Sequence, residues 1–359
     1  MMIILKREPV GMMRYRLFGR GTGLKVSELA LGCGLFGTRW GYGADESEAR
    51  AIYDAYLDAG GNFIDTADSY QFGQSEEYLG EFLSDSRDRV VLATKFTIGS
   101  GAEPALTRVG NSRRVMIDSV EASLRRLKTD RIDLLWVHMP DGTTSSEEMM
   151  HGLEDLVRAG KIVYIGLSDF PAWRIARAAT IAELRGWAPV VGLQAEYSLV
   201  ERTAERELLP MAKAVGLGTV GWSPLGGGLL TGKYRRGEEG RASSFQRLIH
   251  KEDDPRKTAT LDAVLAIAEA RGVTPTQVAL AWVGSRGVIP IIGPRTLAQL
   301  DDNLGAAGLD LHSDDLARLE EASQIELGFP HDLLDADQQR QRFAGGMPDR
   351  VEQPLLPIA

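Results

Sequence analysis

Apolar residues in this chain come in short, nearly continuous runs separated by stretches of helical period. Eight runs occupy residues 29–34, 62–65, 90–95, 132–138, 164–168, 190–197, 219–223 and 288–293. Runs without strict alternation suit parallel strands covered on both faces. Between the first two, Ala49, Ile52, Tyr53, Tyr56 and Leu57 share one helical stripe, as Ile117, Val120, Leu124 and Leu127 do later. Asp45, with Glu48 three residues on, is a capping-box-like helix start, and Gly60 closes that helix. Ahead of the first run, residues 15–18 and 24–27 flank Gly19-Arg20-Gly21-Thr22-Gly23 and predict a β-hairpin.

Five of the seven intervals between strand ends are 26 to 31 residues, one strand–helix unit each. The last interval also holds a glycine loop, a polar stretch at 235–256 and helices predicted at 257–271 and 274–285. Eight strands with at least as many helices predict an α/β fold, a (β/α)8 TIM barrel rather than an open doubly wound sheet. No composition shift marks a second domain. The expected organisation is an extra N-terminal segment at 1–13, a barrel at 14–326 and a C-terminal tail at 327–359 with little period. Met12 or Met13 is an alternative start, and the tail is expected to be a covering loop or a partly disordered end.

The 359 residues are 43% apolar and carry a net charge of −9. The acidic balance argues against nucleic acid or an anionic membrane as the main partner. The longest uncharged run, 214–232, contains seven glycines and Pro224, and is no membrane span. One cysteine, Cys33, excludes an intramolecular disulfide and suggests a reducing, cytoplasmic location. Five histidines, His138, His151, His250, His312 and His331, show no metal-ligand spacing, so no metal is expected.

In a barrel, chemistry collects at the C-terminal ends of the strands. Asp65, Lys95 and His138 end three successive runs, and Tyr70 follows the first of them by five residues. Each alone is ordinarily a solvated or structural residue. Four together on adjacent strand ends can converge on one small pocket.

The segment Asn62-Phe63-Ile64-Asp65-Thr66-Ala67-Asp68-Ser69-Tyr70, with Gly73 and Ser75-Glu76 after it, resembles the aldo-keto reductase signature. Leu92-Ala93-Thr94-Lys95, Val137-His138-Met139-Pro140-Asp141, Gly166-Leu167-Ser168-Asp169-Phe170 and Trp222-Ser223-Pro224-Leu225 continue it in the family's order, over residues 14 to 326. The resemblance implies a barrel closed at the bottom by the hairpin and NADP(H)-dependent carbonyl reduction without a metal. The member expected is bacterial, close to the branch that contains the potassium-channel β-subunits, because Trp222 and the compact glycine loop resemble that branch.

Carbonyl reduction places a hydride on carbon and a proton on oxygen. Tyrosine, with a pKa of about 10, is a poor proton partner at neutral pH. A neighbouring lysine is expected to lower that value, with Asp65 holding the ammonium charged. The expected roles are therefore Tyr70 as proton donor, Lys95 and Asp65 as its tuning pair, and His138 as a hydrogen-bond donor to the carbonyl oxygen.

No G-x-G-x-x-G follows a strand, which argues against a Rossmann site. Gly227 to Lys233 fits the P-loop spacing, but Tyr234 stands where Ser or Thr is needed. The resemblance instead implies a pyrophosphate loop at Ser223, Pro224, Leu225, Gly226, Gly227 and Gly228, with Lys233 adding charge. It also implies Trp222 stacking on the nicotinamide and Ser168 with Gln194 on its carboxamide. Asp169 replaces the usual Asn or Arg. Gly34, Leu35 and Asp65 complete that end of the site. After the last strand, Gly293 and Arg295 open a helix carrying Gln299, Asp302 and Asn303; the opening with its arginine is the expected 2′-phosphate site, and all five are expected cofactor contacts.

Phe36, Trp40, Tyr70, His138, Met139 and Tyr197 are the expected substrate contacts, with Phe329 and His331 opening the tail. The expected partner is a small-molecule carbonyl or alcohol, and a homo-oligomer is left open. Two rivals remain. One is a nucleotide-binding regulatory protein of channel β-subunit type, against which His138 stands, since those subunits carry Asn there. The other is a Schiff-base aldolase using Lys95, in which the nucleotide-binding residues have no role.

Overall fold

The structure is a computed structural model that describes residues 12–237, 250–334 and 337–352. Two short strands, β1 (Tyr15–Leu17) and β2 (Lys25–Ser27), pair antiparallel as a hairpin. Eight parallel strands then close into a barrel: β3 (Ala30–Gly32), β4 (Phe63–Asp65), β5 (Val91–Phe96), β6 (Ile132–Val137), β7 (Ile162–Ser168), β8 (Val190–Glu196), β9 (Gly218–Trp222) and β10 (Ile289–Ile292). β10 pairs with both β9 and β3, which closes the ring. All eight runs read from the sequence are strands, with ends shifted by one or two residues.

Helices cover the barrel. The first, α1 (Glu46–Asp58), starts where Asp45 accepts the Glu48 N–H at 2.9 Å, and Gly60 follows it in the left-handed region at φ 88°. After β4 to β8 come α2 (Gln74–Phe82), α3 (Arg113–Leu127), α4 (Ser146–Arg158), α5 (Ala172–Arg185) and α6 (Leu208–Val215). The long β9–β10 connection holds α7 (Pro255–Arg271) and α8 (Pro275–Ser285), each with proline in its first turn. The polar stretch predicted at 235–256 lies largely outside the described residues. Beyond β10 are α9 (Leu297–Leu304) and α10 (Ser313–Ser323).

The tail, expected as a covering loop or a partly disordered end, contains two short helices, α11 (His331–Leu334) and α12 (Asp337–Phe343). Residues 1–11 of the predicted N-terminal segment lie outside the described residues. Met13, counted in that segment, is buried against the main core. Among the described residues no helix is long and apolar enough to cross a membrane.

The barrel interior is built in layers, because side chains two apart on a strand face the same way. A lower layer contains Phe63, Ala93, Trp136 and Val220, all fully buried. The plug beneath it is Phe18, just after β1. Its ring meets Phe63 at 5.5 Å and Trp136 at 6.3 Å between centroids. A Cβ on Gly218 would lie 2.4 Å from that ring, and one on Gly192 2.9 Å, so the plug needs glycine on both neighbouring strands. One step of two higher, the same series presents Asp65, Lys95, His138, Ser168, Gln194 and Trp222 at the upper mouth.

Candidate active site

Asp65 closes β4 and Lys95 is the fifth residue of β5, both essentially inaccessible. The ammonium of Lys95 bonds the Asp65 carboxylate and donates to the Thr66 carbonyl at 2.8 Å. Gln194 Nε2 donates to the other Asp65 oxygen at 3.0 Å, so the carboxylate is held from two sides. The β4–β5 ladder continues past Asp65, with Thr66 N–H bonding Ala93 and Asp68 N–H bonding Lys95. That continuation fixes the turn carrying Tyr70 beside β5.

The Lys95 ammonium lies 4.8 Å from the centre of the Tyr70 ring, and the His138 ring meets Tyr70 edge-on at 5.9 Å. His138 Nδ1 is buried and has no hydrogen-bond partner among the described residues. The structure thus brings Asp65, Tyr70, Lys95 and His138 together. A Cβ on Gly34 would touch the Tyr70 ring at 3.5 Å, which puts Gly34 under the same ring.

Electrostatics depart from the sequence expectation at Tyr70. Burial raises its pKa by more than Lys95 lowers it, so the hydroxyl sits above its ordinary value rather than below. Burial also works to lower the Lys95 pKa, but Asp65 and the Tyr70 oxygen outweigh it and the ammonium stays charged. Burial, helped by the Lys95 charge, pushes His138 down to about 3, so its imidazole is neutral at physiological pH.

Ser168 and Gln194 stand in the same upper layer. The Gln194 amide nitrogen is committed to Asp65, which leaves its oxygen to accept. Asp169, in the left-handed region at φ 58°, accepts the Trp222 indole N–H at 3.0 Å and the Ser168 hydroxyl at 3.3 Å. The replacement of Asn or Arg there thus acquires a task, which is to hold the indole.

Beyond β9, Ser223 and Gly226, Gly227 and Gly228 all have positive φ. The loop is folded by bonds from Gly226 N–H to Ser223 and from Gly228 N–H to Leu225. Pro224 is buried and Leu225 packs on the core, so this stretch offers backbone rather than side chains. The Lys233 chain lies over the loop, within 2.8 Å of where a Gly228 Cβ would be. Beyond β10, Gly293 is exposed with open space around it. The Arg295 guanidinium has no hydrogen bond or ion pair among the described residues. The Arg295 backbone N–H donates to Gln299 Oε1 at 2.9 Å, and Thr296 caps α9. A left-handed glycine loop and an uncommitted guanidinium at adjacent strand ends fit a dinucleotide with a terminal phosphate.

Two expectations are corrected. Phe36 is fully buried against Phe82, at 6.5 Å, in the core between barrel and helices, and is no substrate contact. Tyr197 is buried likewise, stacked on Trp282 at 5.4 Å with its hydroxyl on Glu205. Tyr197 sits one residue out of step with the inward series of β8, and Phe36 lies in the loop beyond β3. Asp302, part-exposed on α9, accepts from Thr274 Oγ1 at 2.6 Å. Asn303 is buried within α9, and Leu35 beside Phe36. Trp40 stays at the mouth, 6.2 Å from Tyr70, and Met139 is exposed beyond His138. Phe329 is exposed and His331 faces Glu207 at 3.6 Å.

Two features escaped the sequence reading. Behind the Tyr70 turn, buried Glu76 accepts from Thr94 at 2.6 Å and from Arg126 at 2.7 Å. Next to it Asp68 is buried with one oxygen unpartnered among the described residues, and burial pushes it up to about 8. The second is Gln71, whose contacts are taken up below. Asp68 and Glu76 lie inside the motif that carried the resemblance, and only their polarity within a buried stretch signalled them.

The aldo/keto reductase family model matches residues 28–324. A norsolorinic acid reductase of Aspergillus flavus is 35% identical over 339 residues, covering 91% of this chain and 86% of its own. An aldo-keto reductase of Aspergillus calidoustus is 35% identical, covering 90% and 85%. An aryl-alcohol dehydrogenase [NADP(+)] of Phanerodontia chrysosporium is 34% identical, covering 91% and 90%. These relatives are fungal and lend no support to a bacterial member or to the channel β-subunit branch. The matched length, the closed eight-stranded barrel and the Asp65, Tyr70, Lys95 and His138 cluster together place the chain: it belongs to the aldo/keto reductase family.

Proposed function

We propose that Tyr70 is the proton donor to a carbonyl oxygen held at the upper mouth of the barrel, with His138 orienting that oxygen. The protein is an NADP(H)-dependent oxidoreductase that interconverts an aldehyde or ketone and its alcohol. The observation that carries the roles is the meeting of the Tyr70 and His138 rings over a buried, charged Lys95. Neutral His138 can donate one N–H to the oxygen, and Lys95 stabilises the negative charge that forms as Tyr70 gives up its proton. Asp65 and Gln194 keep Lys95 in place.

Gly34, Ser168, Gln194, Trp222, the 223–228 loop, Lys233 and Arg295 would hold the dinucleotide, which when bound supplies the hydride. Trp222, braced by Asp169, offers a flat face for its ring. Relatives named for aryl alcohols and norsolorinic acid support an aromatic carbonyl as substrate, and Trp40 and Met139 supply an apolar rim. A Schiff-base role for Lys95 is disfavoured, since a charged amine bound to Asp65 and Thr66 is not a nucleophile. Single, buried Cys33 supports a cytoplasmic setting.

Tyr70→Phe tests the proposal. It should reduce kcat for carbonyl reduction by a factor on the order of 10² or more, the scale of general acid catalysis, while NADPH binding, followed by tryptophan fluorescence, hardly changes. A variant retaining most of its turnover removes Tyr70 from the mechanism.

A further inference from the structure

Directly after Tyr70 the backbone turns left-handed at Gln71 (φ 51°, ψ 34°) and Phe72 (φ 55°, ψ 40°), then at Gly73. Residues with a Cβ rarely adopt this conformation, and two in succession persist only where the surroundings over-determine them. Those surroundings are the loop after β3. Gln71 is fully buried, and its side chain bridges that loop. Its Oε1 accepts the Trp40 N–H at 2.8 Å and its Nε2 donates to the Tyr42 carbonyl at 3.0 Å. A carboxamide offers an acceptor and a donor in one plane, as a peptide does, so it pairs with residues 40 and 42 as a strand neighbour would.

Gln74 adds a second clamp, accepting the Thr38 N–H at 2.9 Å and the Arg39 N–H at 3.1 Å. The base of the loop is tied by bonds between Gly37 and Ala44 and between Ala44 and Leu35. There is no slack. A Cβ on Gly37 would lie 2.8 Å from Gln71 Cβ, and one on Gly43 2.0 Å from the Gly37 carbonyl. The result is that Trp40 stands edge-on to Tyr70 (6.2 Å, 80°) and to Phe72 (6.2 Å, 81°), with Tyr42 6.5 Å away. Four aromatic rings thus gather on the Tyr70 side of the mouth, and the Gln71 carboxamide ties the two segments that supply them.

We propose that Gln71 is a specificity-determining positioning residue: by bridging the Tyr70 turn to residues 40 and 42 it fixes Trp40 against the mouth, and so selects carbonyl substrates that bear a planar aromatic ring. This rests on the reading of the mouth as a carbonyl-reduction site and adds how its selectivity is set. Gln71 touches no reacting atom and acts through Trp40. A ring–ring contact in a formed pocket is worth up to about tenfold in affinity.

The test compares benzaldehyde and propanal as substrates with NADPH. Gln71→Asn suits a left-handed backbone but is one methylene too short to hold both bonds. It should lower the benzaldehyde-to-propanal ratio of kcat/KM about tenfold, mainly through KM for benzaldehyde. Trp40→Ala should lower the ratio similarly, and the double variant should fall no further, because both changes remove one contact. Gln71→Gly, which accepts positive φ without strain, should repeat the result and stands in if the Asn variant folds poorly. An unchanged ratio, or losses that multiply in the double variant, overturns the proposal. Should Tyr70→Phe keep its turnover while the ratio shifts as stated, the proton-donor reading falls and the role of Gln71 stands.

Discussion

At the scale of single residues, the decisive balance is at Tyr70. Burial holds its proton on more firmly than Lys95 loosens it, so at neutral pH the hydroxyl is protonated and ready to donate. Alcohol oxidation needs the opposite form, the tyrosinate. Because the folded pKa lies above its ordinary value of about 10, the tyrosinate fraction is small at pH 7 and rises about tenfold per pH unit below that pKa. Oxidation should therefore accelerate steadily from pH 7 to pH 9.5, while reduction stays flat or declines. Initial rates in both directions with one aldehyde–alcohol pair across that range measure this. An oxidation rate already level at pH 7 would show that Tyr70 ionises far more easily than its burial implies. His138, pushed down to about 3, adds no inflection near pH 6.5.

The element proposed to separate the two nicotinamide cofactors is the β10–α9 connection. Gly293 leaves the strand end open, Thr296 caps the helix, and Arg295 between them has no partner for its charge among the described residues. A charge-assisted hydrogen bond is worth about 1.5–3 kcal/mol, or roughly 10- to 150-fold in affinity. Arg295→Ala should weaken NADPH by about that factor and leave NADH nearly unchanged, read by titration of tryptophan fluorescence. Equal losses for both nucleotides would make Arg295 structural. Asp302 and Gln299 lie on one helix, yet Asp302 accepts from Thr274 at the start of α8 and Gln299 closes onto the Arg295 backbone. Helical spacing identifies a shared element but not the neighbour that claims each side chain.

For the molecule as a whole, the barrel holds its shape because its interior is filled from below. Phe18 enters from the hairpin and occupies space that glycine vacates on β8 and β9. Gly218→Ala would force the ring against a new methyl, an overpacking that costs typically 1–3 kcal/mol. It should lower Tm by several degrees, with catalytic constants at 25 °C little changed, since the mouth lies at the other end of the strands. Shrinking the plug at the same time, as Gly218→Ala with Phe18→Leu, should recover part of the loss, because the two sites share one contact. Thermal melts of the three variants decide it. A full additive loss would mean that the methyl is accommodated elsewhere.

Eight runs of buried character, their spacing and the polar residues at their ends were all local properties of the chain, and from them the barrel and the set Asp65, Tyr70, Lys95 and His138 were legible. Solvent exclusion imposes that pattern on any strand covered on both faces, so it survives in one dimension. Three things were decided only by tertiary packing. Packing beyond the strand ends turned Phe36 into the core and left Trp40 at the mouth, and at Tyr197 one residue of register swaps faces. Burial set the ionisation of Tyr70 against the charge beside it, and burial is a property of the assembled site. Gln71 joined two loops whose bonded residues are about 30 positions apart in sequence. That pairing depends on where the barrel brings the ends of β3 and β4, which no periodicity along the chain encodes.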